Sequence, residues 1–314
     1  MKRTGGKISR LRTEARNSAA ARLDTSSALE IARIINAEDA KVARAVRRAL
    51  PQIARAIDLI AAALERGGRL LYVGAGTSGR IAALDAAECP PTFNTDPRMV
   101  QFVMAGGAKA LGAAVEANED SRALGRRDMS AKKPTKNDVV LGIAASGRTP
   151  YTIAAVEYAR RCGAKTVAVT CNRGSALGKA ADLSIVVEVG PEVVAGSSRM
   201  KAGTAQKMVL NMVSTGAMAR LGYVYGNLMV NVHLKNRKLV QRGIAILENA
   251  AEVEEGQARR TLRLAGNSVP VALVMLRAGV GRQEAEGCLR SAKGHVRKAI
   301  ASALGHRTNG HRTR

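Results

Sequence analysis

The chain has 314 residues, which is enough for one large domain or for a core domain with additions. Hydrophobic residues make up 46% of it, so a sizeable core can form. No run approaches the roughly 20 apolar residues of a membrane span, and the N-terminus lacks the apolar stretch of a signal peptide. We therefore expect a cytoplasmic protein.

The net charge is +25, from 50 Lys and Arg against 25 Asp and Glu. Such an excess usually indicates a nucleic-acid partner. Part of it lies in two terminal stretches, 1–22 and 305–314, which we expect to be solvated basic tails. Aromatic residues are only 2% and Trp is absent, so a base-stacking surface is poorly supported. A positive field would attract a small anionic ligand equally well, so the net charge does not favour nucleic acid over such a ligand. We therefore do not expect a nucleic-acid partner.

Metal and cofactor chemistry has no support in the sequence. The histidines stand apart from any ligand pattern, and the four cysteines form no C-x-x-C pair. We therefore expect no metal and no cofactor.

Two amphipathic helices are predicted ahead of the first strand. The first covers 24–50, with Asp24 or Thr25 as its N-cap, and the second covers 52–66 and ends at a glycine pair. Pro51 separates them.

The stretch 69–93 reads as strand, loop and helix. The residues after Arg69 are apolar and β-prone, 74–79 form a loop of small residues, and 80–87 have helical composition. This unit builds parallel α/β sheets and presents backbone N–H groups at a helix N-terminus, where an anion can bind.

The glycines of this loop meet the spacing G-x-G-x-x-G, with Thr77 and Ser78 between them. A single such motif is weak evidence. Two interpretations therefore remain open at this point: a dinucleotide site, or a hydroxyl-lined site for a phosphate monoester.

A second strand is predicted at 99–104, followed by a helix over 108–120. The acidic residues Glu116, Glu119 and Asp120 would lie at the C-terminal end of that helix, where the macrodipole disfavours negative charge. This unfavourable placement suggests a role for the cluster.

Further strand and helix units complete one α/β domain with a sheet core over about 68–221. An apolar strand beginning near Asp138 ends in a hydroxyl-rich loop, 146–150, before a helix over 151–161. Strands follow at 165–170 and 183–189, with a short helix between them. The segment Gly196–Arg199 then leads into a helix that reaches Leu221. Loops at the carboxyl ends of neighbouring parallel strands converge on the crevice where such sheets bind ligands.

The predicted organisation has four parts: a basic tail, 1–22; N-terminal helices with the α/β domain, 23–225; a C-terminal helical region, 226–304; and a basic tail, 305–314. We expect 227–264 to be helical. The last part of the helical region, 268–304, reads as a three-helix module broken at Gly281 and Gly294.

Several long motifs carry a specific resemblance. They are T-E-A-R-N, G-A-G-T-S-G-R, D-A-A-E-C-P-P-T-F, E-A-N-E-D-S, I-A-A-S-G-R-T-P-Y, T-C-N, G-S-S-R-M-K-A-G-T-A-Q-K and Y-G-N-L-M-V-N-V. Over about 13–303 the chain resembles the N-acetylmuramic acid 6-phosphate etherases, a family within the sugar isomerase (SIS) phosphosugar-binding superfamily. Asn94 and Arg98 stand where the family pattern has a glycine and an acidic residue, which bears on substrate fit.

The resemblance implies a three-layer, flavodoxin-like parallel-sheet SIS domain that cleaves the lactyl ether of N-acetylmuramic acid 6-phosphate in cell-wall amino-sugar recycling. It implies Glu88 as the acid for lactate departure and Glu119 as the base at C2, in a homodimer with sites near the subunit interface. T-E-A-R-N, at 13–17, or the N-terminal helices would reach the partner subunit.

The expected binding residues fall into three groups. Ser146, Arg148 and Thr149 would hold the phosphate. Thr77 and Ser78 would meet the sugar and its acetamido group. Ser197, Ser198 and Arg199 would close the pocket.

Two alternatives share the SIS fold. The first is a non-catalytic phosphosugar sensor. It would resemble glucokinase regulatory protein, which has two such domains where this chain has one. Otherwise it would resemble a transcription regulator, for which we find no helix-turn-helix pattern. A phosphosugar isomerase would share the proton abstraction but would not account for the full motif set.

Overall fold

The structure is a computed structural model, and it describes residues 12–113, 118–234 and 236–310. Its contacts divide the chain into two compact units. The first contains Met1–Ala87 and Pro97–Thr215, and the second contains Glu88–Asp96 and Gly216–Arg314.

A parallel sheet of five strands forms the centre of the first unit. The strand order is β2-β1-β3-β4-β5, the flavodoxin-like order, which confirms the predicted α/β fold class. The strands are β1 (Leu70–Gly74), β2 (Val100–Met104), β3 (Val139–Ile143), β4 (Lys165–Thr170) and β5 (Leu183–Val186). All residues of β1 and β3 are buried, as expected of central strands covered on both faces.

Helices flank the sheet. They are α1 (Ala28–Arg48), α2 (Leu50–Glu65), α3 (Gly76–Phe93), α4 (Arg122–Ala131), α5 (Pro150–Arg161), α6 (Ala176–Ala180) and α7 (Lys201–Arg220). The side-chain alternation of β1 serves two layers: Leu71 and Val73 pack with Val156 of α5, whereas the hydroxyl of Tyr72 donates to Asp85 of α3 at 2.7 Å.

The predicted start of α1 is wrong by several residues. Ser27, not Asp24 or Thr25, is the N-cap, and it forms a capping box with Glu30. Asp24 and Thr25 belong to a short 3-10 turn instead. Pro51 lies in the first turn of α2, where its missing N–H costs nothing.

Helix α3 is longer at both ends than predicted. It begins at Gly76, so the loop after β1 is almost absent, and it continues through Pro90 and Pro91 to Phe93. Its middle is fixed at Asp85, whose carboxylate accepts hydrogen bonds from Tyr72 and also from Asn211 and Ser214 of α7. This buried network between three elements outweighs the weak helix propensity of the glycine-rich start.

Two further predictions are corrected within the first unit. Glu119 does not end a helix: the described part of 108–120 contains a 3-10 helix, Gly107–Leu111, and Glu119 lies in the turn before α4. Glu116 lies outside the described residues. Part of the predicted N-terminal tail is packed, because Thr13 is 2% exposed and Asn17 donates to the carbonyl of Pro191 at 3.2 Å.

The second unit is helical. It contains α8 (Arg237–Ala251), α9 (Glu255–Leu264), α10 (Val269–Ala278), α11 (Arg282–Ser291) and α12 (Val296–Gly310), around a core that includes Leu247, Leu273 and Val296. The last three are the helices predicted between Ser268 and Leu304. The helix predicted from Asn227 is wrong in its first part, since α8 begins only after Asn236, whose side chain accepts the N–H of Leu239. Across the described ranges, no helix is both long and apolar enough to cross a membrane.

Candidate functional site

A cleft of about 360 Å³ lies at the carboxyl ends of β1 and β3, where the strand order reverses. Open α/β sheets bind their ligands at this switch point. The cleft is lined by Thr13, Glu14, Ala75, Gly76, Thr77, Ser78, Arg80, Met104, Ala105, Ala110, Glu119, Ala144, Ala145, Ser146, Thr149 and Ser198. Residues from three of the predicted motif loops therefore meet at one site.

Thr77 and Ser78 lie in the first turn of α3 rather than in a loop, and both line the cleft. The Ser78 hydroxyl donates to Oε1 of Gln206 on α7 at 3.0 Å, and Gln206 is itself buried. That hydrogen bond fixes the Ser78 oxygen as an acceptor toward the cleft.

Glu119 is half-buried and lines the same cleft. Its carbonyl accepts the N–H of Tyr151 at 3.0 Å, which ties the turn to the start of α5. Its carboxylate packs on Gly76: a Cβ at that position would lie 2.9 Å from Oε1 of Glu119. Gly76 has φ +52, so both its conformation and the close carboxylate explain the glycine.

The loop before α5 brings Ser146 and Thr149 into the cleft. Gly147 turns this loop with φ +64, and a Cβ on it would lie 2.4 Å from the Cβ of Ser175. The Ser146 hydroxyl accepts the N–H of Arg148 at 3.2 Å. The Arg148 side chain is half-buried and is not among the cleft-lining residues.

Ser198 lines the cleft, whereas Ser197 and Arg199 do not. The following helix, α7, is capped by the fully buried Glu192, which accepts the N–H groups of Lys201 at 3.0 Å and Ala202 at 2.8 Å. Burial raises the pKa of the Glu192 carboxyl, although these two N–H groups oppose the shift.

A buried ion pair lies beside this cap. The ammonium of Lys201, 1% exposed, donates to the carboxylate of Glu38, 3% exposed. Burial alone would raise the pKa of Glu38, but hydrogen bonds from Lys201 and Lys41 outweigh it and lower the pKa to about 2. Glu38 therefore stays ionised and holds α1 to the first turn of α7.

Three polar residues of the cleft were not predicted as site residues: Thr13, Glu14 and Arg80. Arg80 follows the predicted loop as the last residue of G-A-G-T-S-G-R, and its guanidinium donates to the carbonyls of Ala110 and Ala113. Thr13 and Glu14 belong to T-E-A-R-N, which we expected, as an alternative to the N-terminal helices, to reach a partner subunit; both residues line the cleft of this chain.

Glu88, the predicted acid, lies on α3 and is exposed. It is not among the described residues that line the cleft. Of the predicted site residues, the structure therefore brings Glu119, Thr77, Ser78, Ser146, Thr149 and Ser198 together, and leaves Glu88, Arg148, Ser197 and Arg199 outside the cleft lining.

Comparison with known proteins gives two overlapping domain matches. The glucokinase regulatory protein N-terminal SIS domain matches residues 52–160, and the SIS domain matches residues 121–215. Together the two matches cover the five strands of the sheet and the cleft residues from Ala75 to Ser198.

Relatives among known proteins match the chain along almost its whole length. The N-acetylmuramic acid 6-phosphate etherase of Aeromonas hydrophila is 51% identical, with 92% of this chain and 97% of that protein covered. N-acetylmuramic acid 6-phosphate etherase 2 of Vibrio parahaemolyticus is 50% identical over 93% and 98%, and N-acetylmuramic acid 6-phosphate etherase 1 of Bacillus licheniformis is 47% identical over 93% and 96%. With such identity along almost its whole length, the chain belongs to the N-acetylmuramic acid 6-phosphate etherase family.

Proposed function

We propose that this enzyme cleaves the D-lactyl ether of N-acetylmuramic acid 6-phosphate by eliminating lactate and adding water. The products are N-acetylglucosamine 6-phosphate and D-lactate, a step of amino-sugar recycling. The observation that carries this function is the position of Glu119: a carboxylate lies among hydroxyl-bearing loops at the sheet switch point of a chain about half identical to the named etherases.

The helix N-termini favour one place for the phosphate. The N-terminus of α7 is occupied by the Glu192 carboxylate, and Glu119 packs against Gly76 at the start of α3. A dianion is repelled by both carboxylates. The start of α5 has no side-chain cap, and hydroxyls line it, so the phosphate binds there on Ser146 and Thr149 with the help of Arg148.

The position of the phosphate determines where the rest of the substrate lies. Thr77 and Ser78 meet the sugar and its acetamido group from the first turn of α3. Ser197, Ser198 and Arg199 close the pocket over the bound sugar from the segment before α7.

The chemistry begins from the open-chain sugar, whose C1 aldehyde acidifies the proton on C2. Glu119, as a carboxylate, removes that proton to give an enolate. The C3–O bond then breaks, the electron pair leaves with the lactyl oxygen, and Glu88, as a carboxylic acid, protonates that oxygen. The product on the enzyme is an α,β-unsaturated aldehyde with a C2=C3 double bond.

During water addition the two proton transfers run in the reverse direction. The Glu88 carboxylate takes a proton from water as the water oxygen bonds to C3, and the Glu119 carboxyl returns its proton to C2. Both side chains end in their starting protonation states, so the cycle needs no cofactor.

Glu88 needs a closed environment to act as an acid near neutral pH, yet it is exposed in the single chain. We therefore place it at a homodimer interface, where Glu88 of one chain serves the cleft of the other.

The test is D-lactate release from N-acetylmuramic acid 6-phosphate. We expect Glu119→Gln to lower kcat by at least about 100-fold, because a general base contributes on that order. Glu65→Gln, the same change on an exposed helix residue, is the matched control and keeps wild-type activity. Full turnover by Glu119→Gln would remove Glu119 from the mechanism. Saturable substrate binding by wild-type protein without lactate release would favour a phosphosugar sensor.

A further inference from the structure

Ring opening must precede the removal of the C2 proton, because only the open-chain aldehyde acidifies that position. Glu119 and Glu88 are already committed to the elimination. We propose that Glu14 is the acid-base residue that opens the sugar ring, an inference that rests on the proposed function of the same cleft.

Glu14 is placed for contact with substrate. It lines the cleft together with Glu119, but on a different wall: Glu119 packs on Gly76, whereas Oε2 of Glu14 lies 2.9 Å from the Cβ position of Gly196, two residues before Ser198. Glu14 is half-buried. Within the described ranges, no side chain forms a hydrogen bond or ion pair with its carboxylate. A half-buried carboxylate that has no partner among the described residues is available to a ligand.

The segment that carries Glu14 is fixed on both sides. Before it, the buried Thr13 accepts a hydrogen bond from Asn172 at 3.4 Å, and Asn172 also donates to the carbonyl of Ala145 in the cleft at 3.1 Å. After it, Asn17 donates to the carbonyl of Pro191 at 3.2 Å. These contacts, which span 159 and 174 residues of chain, hold the segment that carries Glu14 beside the cleft.

The ring-opening step balances with one carboxyl group. The Glu14 carboxylate removes the proton of the C1 hydroxyl, the C1–O5 bond breaks, and a C1=O double bond forms. The carboxyl returns that proton to O5, which becomes the C5 hydroxyl. Glu14 ends ionised as it began, and no oxidant, reductant or second reactant is required.

Ring opening can be measured apart from ether cleavage, because reclosure on either face of the aldehyde interconverts the anomers. The assay follows α/β exchange of the product, N-acetylglucosamine 6-phosphate, by NMR magnetisation transfer, with and without enzyme. Deuterium uptake at C2 in deuterated water reports the Glu119 step on the same sample. Lactate release from the substrate is measured in parallel.

We expect wild-type protein and Glu65→Gln to accelerate anomer exchange, and Glu14→Gln to lose that acceleration by at least about tenfold. Product affinity of Glu14→Gln, measured by calorimetry, should stay within about twofold of wild type, since a residue that only shapes the cleft would change binding instead. Glu119→Gln separates the steps: anomer exchange continues while deuterium uptake at C2 is lost.

Three results overturn the proposal: wild-type anomer exchange in Glu14→Gln, loss of product binding in that variant, or no acceleration by wild-type protein that still releases lactate. The last result leaves the proposed function intact. Conversely, accelerated exchange that depends on Glu14 without any lactate release would support the role of Glu14 and refute the etherase activity.

Discussion

Replacing Lys201 with Met should destabilise the protein strongly, because it leaves the carboxylate of Glu38 buried with weaker compensation. Lys201 is 1% exposed and Glu38 3% exposed, and the second cation, Lys41, has a side chain that is 59% exposed. Burial opposes ionisation of Glu38, but hydrogen bonds from Lys201, Lys41 and Asn17 and the charge of Lys201 lower its pKa from the ordinary 4.5 to about 2. A shift of this size corresponds to about 3 kcal/mol of native-state stability.

The pH dependence gives the sign of the effect. A carboxyl whose pKa is lower in the folded state stabilises the fold above its unfolded pKa, here 4.5, and that stabilisation is lost as the pH falls toward about 2. Lys201→Met should therefore lower the free energy of unfolding by about 3 kcal/mol at pH 7, with a smaller loss at pH 3.

Urea unfolding followed by circular dichroism at both pH values measures this difference. Lys207→Met, the same change on an exposed position of α7, is the control and should shift stability by no more than about 0.5 kcal/mol. Equal stability of Lys201→Met and wild type at pH 7, or a loss that does not shrink at pH 3, would refute the electrostatic reasoning.

Two further predictions concern the site. Gly147→Ala places a Cβ 2.4 Å from the Cβ of Ser175, at a residue with φ +64. Because this displaces the loop that carries Ser146 and Thr149, lactate assays should show KM raised at least about tenfold. An unchanged KM would contradict this role of the loop. If Glu88 serves the partner's cleft, mixing inactive Glu88→Gln and Glu119→Gln chains should restore about a quarter of wild-type activity, because half of the dimers carry one intact site of two. No recovery after verified subunit exchange would place both carboxyls in one chain.

The sheet could be predicted from the sequence because its strands are continuous apolar runs bounded by polar or glycine residues. Leu70–Gly74 and Val139–Ile143 are buried on both faces and carry the pattern of central parallel strands. Their loops could be placed at one edge of the sheet from topology alone. This reasoning predicted a common crevice for the loops of Thr77 and Ser146. Glu119 was identified only by the resemblance of its motif to the family.

The missed features depend on long-range contacts. The extension of α3 from Gly76 relies on Asp85 and its partners on β1 and α7, which local propensity cannot reveal. Glu14 reaches the cleft through the hydrogen bond between Thr13 and Asn172, residues 159 positions apart. Helix boundaries were also mispredicted where possible N-caps lie close together in sequence: Ser27 caps α1, whereas Thr25 was one of the predicted caps.

The most direct measurement of the central claim is turnover of N-acetylmuramic acid 6-phosphate in water labelled with both deuterium and oxygen-18. Elimination followed by hydration predicts deuterium at C2 and oxygen-18 at C3 of the N-acetylglucosamine 6-phosphate, with unlabelled D-lactate. Oxygen-18 in the lactate hydroxyl, or a product without deuterium at C2, would contradict the mechanism assigned to this cleft.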